Sequence, residues 1–206
     1  MQKEIIYIGD PMCSWCYGFT DVIQTIRRNY MERVKVSLVM GGFRPDGTHM
    51  VDPNYRDFLR GHWMEVSRRT GQPFDLAILN QTGWIYNTEK PCRAVVAMRH
   101  LKPEVEWEYF AAVQKGFYHK NHDPNNPESF ARIAAEFGID EDCFLHAYGA
   151  PGTIEETQRA FAWARSIGVN SFPTVVLRDQ RGLAALTVGY QPLEMLEGRL
   201  DQWLSM

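Results

Sequence analysis

The chain has 206 residues, of which 45% are hydrophobic and 13% aromatic, so it can bury a substantial core as one domain, or as one domain with a large insertion. Its 22 basic and 25 acidic residues are mixed along the sequence, and without a basic stripe nucleic acid is not an expected partner. The apolar run at the N-terminus is short and contains Glu4, which is not the pattern of a signal peptide or a membrane span. If Met1 is the native start, the sequence predicts a cytoplasmic protein with no membrane partner.

The opening third of the chain has the pattern of a strand, a helix and a second strand. Residues 4–8 form an apolar run typical of a strand, and residues 34–40 alternate in polarity as a half-exposed strand does. Between them, apolar residues recur at helical spacing, at Phe19, Val22, Ile23, Ile26 and Tyr30. This order predicts a parallel β-α-β crossover unit, with Cys13 at the joint between the first strand and the helix.

The middle of the chain has the pattern of one helix after another. Asp52 and Pro53 form a cap and a first-turn proline that predict a helix start, and Gly71 predicts its end. The buried stripe expected for this helix consists of Tyr55, Phe58, Leu59, Trp63 and Val66. Further helices are expected to begin near Pro91, Val105 and Pro127.

The last quarter of the chain returns to a mixed pattern. Thr153 and Glu156 have the spacing of a capping box, which predicts that a helix begins there and runs to Ile167. Residues 174–178 and 184–188 have the pattern of a β-hairpin, and Pro192 opens a last helix. The whole chain therefore belongs to the α/β class, in the order β-α-β, helical block, α-β-β-α.

Cys13 and Cys16 form a Cys-x-x-Cys pair at the expected start of the first helix. Two cysteines at this spacing lie on one face of a helix and can close a small disulfide ring. The thiolate is the attacking form of cysteine, and the N–H groups and dipole of a helix start favour a negative sulfur at the leading position. Cys13 is therefore the expected nucleophile, and a covered Cys16 is the thiol that resolves its mixed disulfides.

A second feature lies late in the chain, where residues 168–177 are GVNSFPTVVL. A proline just before a hairpin strand is a position where a cis peptide bond would sit. If Phe172–Pro173 is cis, this loop can lie against Cys13, with the Phe172 backbone free to pair with an extended substrate. Phe172 and Pro173, together with Ser14 and Trp15, are therefore the candidate substrate-binding residues.

The segment DPMCSWCYG resembles the D-x-x-C-x-W-C-Y-x-G motif of the DsbA-like branch of the thioredoxin superfamily, including FrnE-like proteins and cytoplasmic dithiol-disulfide isomerases. Residues 87–99, NTEKPCRAVVAMR, resemble part of that branch's insertion, and residues 168–174 resemble its late proline loop. The resemblance covers nearly the whole chain.

It implies a thioredoxin-like domain of residues 1–48 and 151–206, interrupted by an all-helical insertion domain of residues 49–150. It also implies that Cys13 attacks, that Cys16 resolves and that Pro173 is the cis-proline.

Two positions depart from the pattern of the family. Ser14 stands where many relatives have proline. Tyr7 stands six residues before the first cysteine, where thioredoxin has a buried aspartate. Proton transfer to Cys16 is therefore unassigned, with Asp10 as a candidate.

Several alternatives stay open at the level of sequence. A structural zinc site normally needs four ligands, and the other candidate pairs of ligands lie in the helical block. They are Cys143 with His146, and His119 with His122. Cys92 and Cys143 are expected to be free thiols that behave as small hydrophobic residues.

Three features near the cysteine pair each allow two interpretations. Trp15 either contacts substrate or shields the sulfur atoms. Phe43, Phe172 and Met12 form either an apolar rim for extended peptide or part of an ordinary core. Residues 41–42, two glycines, allow either a close approach of the backbone or a plain turn.

The sequence thus predicts a cytoplasmic thiol–disulfide oxidoreductase or isomerase that acts on protein or small-molecule disulfides. No metal and no cofactor are expected, glutathione is a candidate co-substrate, and the protein is expected to be a monomer or a homodimer. Because the resemblance extends to kappa-class glutathione transferases and hydroxychromene-carboxylate isomerases, a glutathione-dependent transferase or isomerase is the main alternative. A non-catalytic DsbA-like adaptor is a further alternative.

Overall fold

The computed structural model of the chain describes residues 3–206. Strands lie towards both ends of this range and helices dominate its middle. The strands are β1 (Glu4–Gly9), β2 (Lys35–Met40), β3 (Thr174–Asp179) and β4 (Gly182–Val188). The helices are α1 (Ser14–Gly18), α2 (Thr20–Tyr30), α3 (Pro53–Thr70), α4 (Glu89–Leu101), α5 (Glu106–Tyr118), α6 (Pro127–Ala135), α7 (Glu141–Gly149), α8 (Pro151–Ser166) and α9 (Glu197–Ser205). Short 3₁₀ turns lie at Ala77–Asn80, Pro103–Val105 and Leu193–Met195.

The strands form one mixed sheet in the order β2-β1-β3-β4. Strands β1 and β2 are parallel, with Tyr7 opposite Leu38, and helices α1 and α2 make the crossover that a parallel pair requires. Strand β3 runs antiparallel to β1, and β4 runs antiparallel to β3 with a bulge between Val175 and Val176. This is the β-α-β and α-β-β-α order that the sequence predicts.

Alternate residues of β1 enter two different cores, because side chains alternate between the faces of a sheet. Ile5 and Tyr7 pack in one core together with residues of α2 and α9. Ile6 and Ile8 pack in another together with Ala164 of α8. Helices therefore cover both faces of the sheet, and the chain leaves the carboxyl end of β1 between these layers.

The helical middle of the chain contributes to two cores. Helices α4, α5 and α7 share a core with the sheet, through residues that include Val95, Phe110 and Phe144. A separate core joins α3, the end of α5 and the segment between α3 and α4, and it includes Met12 and Tyr17 from the two ends of the cysteine motif. The cysteine pair therefore lies beside both the sheet and the helical region. The domain boundaries after residues 48 and 150 stay a prediction.

Helix α3 begins and ends where the sequence predicts. The Asp52 side chain accepts a hydrogen bond from the Tyr55 N–H at 2.8 Å, Pro53 lies in the first turn, and Gly71 ends the helix with a φ of 78°. The expected buried stripe is wrong at one position, because the Phe58 side chain is 61% exposed. That face of α3 borders an open cavity, so no neighbouring element within residues 3–206 covers the ring.

Helix α8 begins earlier than the capping box predicts. Ala150 is its N-cap residue and Pro151 its first residue, so Thr153 lies inside the helix. The Thr153 hydroxyl donates to the Ala147 carbonyl at 2.7 Å, and Glu156 forms an ion pair with α4 at 2.7 Å. Both side chains therefore join α8 to other helices instead of capping it.

The two glycines after β2 allow a close approach of chain segments. A Cβ atom at Gly41 would lie 2.1 Å from the ring of Phe172, and a Cβ atom at Gly42 would lie 2.7 Å from the ring of Phe161. Gly42 also has a φ of 69°, in the left-handed region that favours glycine. Both interpretations left open by the sequence therefore apply. Each glycine allows a close approach of another segment, and Gly42 also forms a turn.

We expect Gly41→Ala to destabilise the fold, because the added methyl group has to displace the Phe172 ring. Overpacking of this kind costs about 1–3 kcal/mol in the free energy of unfolding. The matched control is Gly61→Ala in α3, where an added Cβ meets no atom within 4 Å. That change should raise the free energy of unfolding by up to about 1 kcal/mol, because alanine is the better helix former. Urea denaturation of both variants measures the difference, and equal stability would contradict the packing of Phe172 on Gly41.

Candidate active site

Cys13 lies at the junction between β1 and α1, as the sequence predicts. It is the N-cap residue of α1, and its N–H donates to the Asp10 carbonyl at 3.1 Å while its carbonyl accepts from the Tyr17 N–H at 3.0 Å. Its side chain is 5% exposed. Among the described residues, the Cys13 thiol caps no helix N–H group and instead donates to the Phe172 carbonyl at 3.5 Å. The helix start and the late loop therefore meet at this sulfur atom.

Cys16 lies one turn further along α1 and is fully buried. The two sulfur atoms are not joined in a disulfide, and the Cys16 thiol lies within hydrogen-bonding reach of the Cys13 sulfur. Burial, followed by the neighbouring Cys13, raises the pKa of the Cys16 thiol well above its usual value, whereas the Asp10 N–H and the Tyr7 hydroxyl lower it. Cys16 is therefore a protonated thiol near neutral pH, and its ionisation depends on the donors around it.

Tyr7, in the middle of β1, is the sheet residue that lies beside Cys16. Its ring is held between Phe19 and Trp107, with ring centroids 5.9 and 6.0 Å away, and burial raises the pKa of its hydroxyl well above the usual value. Within residues 3–206 this hydroxyl has no hydrogen-bond partner of good geometry, although it lies close enough to Cys16 to lower the pKa of that thiol. A neutral thiol is a weak acceptor, so the Tyr7 O–H becomes a strong donor to this sulfur only when Cys16 ionises.

The Asp10 carboxylate joins the loop before Cys13 to neighbouring segments. It accepts hydrogen bonds from the Met12 N–H at 2.8 Å, from the Phe43 N–H at 2.7 Å and from the Cys92 thiol at 3.5 Å. Burial raises the pKa of this carboxyl, and the hydrogen bonds act against that shift. The group of Asp10 that contacts Cys16 is its main-chain N–H. The carboxylate is therefore placed to hold the loop.

Two buried tyrosines fix the peptide that precedes Cys13. The hydroxyls of Tyr86 and Tyr118 both donate to the Met12 carbonyl, and all three residues are buried. The sequence does not predict either tyrosine as part of the site, because each lies far from Cys13 along the chain and belongs to no motif. No local signal marks them, since their role depends entirely on how the helical region packs against the cysteine loop.

The residues predicted to bind substrate lie around Cys13. The Phe172–Pro173 peptide bond is cis, and Pro173 is buried immediately before β3. Ser14 is buried and Trp15 is half-buried. The structure brings Cys13, Ser14, Trp15 and Phe172 to the wall of one cavity, whereas Pro173 is not part of that wall. Their contact with substrate stays a prediction.

A cavity of about 490 Å³ opens beside Cys13 and is within the size range of small-molecule sites. Its walls come from the cysteine loop, from α3 and from the loops on either side of the β3–β4 hairpin, and they are mainly aromatic. Phe43 is 43% exposed and lies at this cavity together with Phe172. Met12 is buried in the core instead. The sequence left open whether these three residues form an apolar rim or part of a core. Phe43 and Phe172 lie at the rim of the cavity, and Met12 lies in the core.

The remaining cysteines are not paired with the motif. Both are free thiols, and Cys92 is buried as expected of a cysteine that behaves as a small hydrophobic residue. That expectation is wrong for Cys143, which is exposed. In the part of the chain that the structure describes, no three His, Cys, Asp or Glu side chains lie close enough together to hold a metal ion. No helix in residues 3–206 is both long and apolar enough to cross a membrane.

Comparisons with known proteins agree on the fold. A model of the DSBA-like thioredoxin domain matches residues 5–201. A protein from Nitrosomonas europaea, described as a candidate protein disulfide isomerase, is 33% identical to the chain with a TM-score of 0.92. That alignment covers 100% of this chain and 98% of the other. No curated protein sequence matches the chain.

A more distant likeness supports the fold alone. The cytosolic disulfide reductase DsbM from Pseudomonas aeruginosa is 22% identical with a TM-score of 0.75, and the alignment covers 98% of this chain and 95% of that one. The structure of DsbM with GSH is 21% identical with a TM-score of 0.79, and the alignment covers 98% and 100% of the two chains.

The family match covers both cysteines, the helical region and the cis Phe172–Pro173 bond. The resemblance drawn from the cysteine motif and the late proline loop is thereby confirmed, as is the thioredoxin-like α/β fold with a helical insertion. The chain belongs to the DsbA-like thioredoxin domain family.

Proposed function

We propose that the protein is a thiol–disulfide oxidoreductase in which Cys13 attacks disulfides and Cys16 resolves the mixed disulfides that result. Membership of the DsbA-like family, whose members are generally disulfide oxidoreductases, supports the general activity. One observation carries the assignment of roles. Of two free thiols on the first turn of one helix, Cys13 lines a cavity and Cys16 is fully buried behind it.

The reaction consists of two exchange steps. In the first, the Cys13 thiolate attacks one sulfur of the substrate disulfide, and the other substrate sulfur leaves as a thiolate that takes up the proton lost by Cys13. In the second, Cys16 loses its proton and the resulting thiolate attacks the Cys13 sulfur, which closes the Cys13–Cys16 disulfide. The second substrate sulfur leaves as a thiolate and takes up the proton lost by Cys16. The protein pair is oxidised and the substrate is reduced. The same steps in reverse oxidise a dithiol substrate.

Ionisation of Cys13 changes its contacts with both neighbouring segments. The neutral thiol donates to the Phe172 carbonyl at 3.5 Å, and a thiolate has no proton to donate. The N–H groups of the first turn of α1 are then the favourable partners for the negative sulfur. The Phe172 carbonyl becomes free to accept a hydrogen bond from a substrate N–H, in the manner of an added strand.

Protein disulfides and small-molecule disulfides are both substrates in this proposal, with glutathione as a co-substrate and no bound cofactor. The cavity beside Cys13, of about 490 Å³, has the size for a small thiol, and a protein of the same fold is known with GSH. The cytoplasm is the proposed compartment, and the cytosolic location stated for DsbM supports it.

Cys16→Ser should stop the exchange after the first step, because no thiol remains to attack the mixed disulfide. The reagent 5,5′-dithiobis(2-nitrobenzoate) measures this, since each exchange step releases one coloured thiolate. Both proteins should carry Cys143→Ser, because the exposed Cys143 would also react. The Cys143→Ser parent should release two equivalents per chain. The double variant should release one and keep half of the reagent on Cys13, visible as an increase in intact mass.

The same variant separates the alternatives. A glutathione-dependent transferase or isomerase would retain its activity without Cys16, and an adaptor would bind its partner unchanged. Release of two equivalents by the Cys16→Ser protein would contradict the resolving role of Cys16.

Tyr7→Phe should slow the second exchange step more than the first. The Tyr7 O–H lowers the pKa of Cys16, so its removal raises that pKa and leaves less thiolate at any pH below it. A hydrogen bond to a charged group contributes about 1.5 kcal/mol, so the rate constant of the second release should fall about tenfold. The measurement is the pH profile of that release, which should move to higher pH in the variant.

Tyr148→Phe is the matched control for this change. Among the described residues its buried hydroxyl also has no hydrogen-bond partner of good geometry, but its ring lies 4.2 Å from the guanidinium of Arg93 instead of beside the cysteines. An equal displacement of the pH profile in both variants would contradict a specific effect of Tyr7 on Cys16.

A further inference from the structure

Arg69 gives the cavity beside Cys13 a positive charge. It lies in the last turn of α3, and the described residues of the cavity wall include no other arginine or lysine and no acidic side chain. The wall also contains His62, and burial lowers the pKa of that imidazole, which keeps it neutral near pH 7. While Cys13 is a thiol or a mixed disulfide, the wall of the cavity therefore carries a net positive charge.

The Arg69 guanidinium lies over an aromatic ring, and the residues that the structure describes offer it no acidic partner. It lies over the Trp15 ring, 5.4 Å from the centroid, and no acidic side chain in residues 3–206 lies within 4.0 Å of it. The preceding residue, Arg68, pairs instead with Glu65 at 2.7 Å. A guanidinium that contacts a ring face keeps N–H groups free for a planar anion such as a carboxylate. These donors therefore lie beside Trp15, one of the two residues between Cys13 and Cys16.

A second arginine adds to the positive potential of the cavity. The guanidinium of Arg44 lies over the rings of Tyr55 and Tyr86, 5.1 and 5.5 Å from their centroids. Both tyrosines line the cavity. Arg44 itself borders the neighbouring surface cavity, which also contains Asp46. Arg69 is thus the cation that a ligand inside the cavity can contact directly, and Arg44 contributes at longer range.

We propose that Arg69 binds a carboxylate of the substrate, so that the site prefers small disulfides and thiols that carry a negative charge near the sulfur. This inference rests on the proposed exchange function, because the charged group has to be held while Cys13 attacks. The aromatic walls contact the apolar part of such a ligand, and the guanidinium fixes its orientation. The cavity volume of about 490 Å³ suits a short acidic thiol peptide or a smaller molecule.

Three symmetrical disulfides of similar length test the charge preference. Dithiodipropionate is anionic, bis(2-hydroxyethyl) disulfide is neutral and cystamine is cationic. Reduced Cys143→Ser protein is mixed with each, and the rate constant for oxidation of the cysteine pair is measured by alkylation and mass spectrometry. Each value is divided by the rate constant of the same disulfide with 2-mercaptoethanol, which removes differences in intrinsic reactivity. The expected order is anionic, then neutral, then cationic.

Variants of Arg69 should change this order. Arg69→Met should lower the ratio of the anionic to the neutral rate constant about threefold to tenfold, a modest change because Arg69 is exposed to solvent. Arg69→Lys keeps the charge and should retain most of the ratio. Arg68→Met removes an adjacent cation that is already paired with Glu65, so as the matched control it should leave the ratio unchanged. Added salt should lower the ratio in the parent and have little effect in Arg69→Met.

The possible failures are distinguishable. An unchanged ratio in Arg69→Met, or an equal fall in Arg68→Met, would overturn the role of Arg69 while leaving the exchange function in place. A protein that the neutral disulfide does not oxidise would overturn the exchange function and this inference with it.

Discussion

The geometry of the site depends on the hydrogen bonds of a single residue, Met12. Its N–H donates to the Asp10 carboxylate at 2.8 Å, and its carbonyl accepts from the hydroxyls of Tyr86 and Tyr118. Buried backbone groups without partners are costly, so these three side chains determine where this residue can lie. Cys13 follows directly, and its position at the start of α1, with its sulfur against the late loop, results from that constraint.

The parts of the site that follow from local chain order could be predicted from the sequence, and the parts that depend on tertiary contacts could not. Cys13 is placed by the end of a strand and the start of a helix, both visible as patterns. Tyr86 and Tyr118 act through hydroxyl groups that arrive from the helical region, and no spacing relates them to the cysteines. Phe58 shows the same limit, because helical periodicity identifies an apolar face but not whether another element covers it.

Tyr7 occupies the position at which thioredoxin has a buried aspartate, and a phenol provides a different function there. Burial raises its pKa, so it keeps its proton and can stabilise a thiolate at Cys16 without accepting a proton from it. Burying an unpaired hydroxyl costs roughly 1–3 kcal/mol, a cost that phenylalanine would avoid. The backbone also leaves space for this group, since a Cβ atom at Gly9 would lie 2.6 Å from the Tyr7 hydroxyl. These features are typical of a site in which stability is lost in favour of reactivity.

Met12 and Tyr17 are packed in the core of the helical region, and Met12 is hydrogen-bonded to two of its tyrosines. The conformational equilibrium of that region and the chemistry of the cysteine pair are therefore thermodynamically linked. A molecule that binds α3 or α5 and favours a looser packing would alter the equilibrium constant for oxidation of the cysteine pair. By the reciprocity of such linkage, oxidation of the pair would change the affinity for that molecule by the same factor.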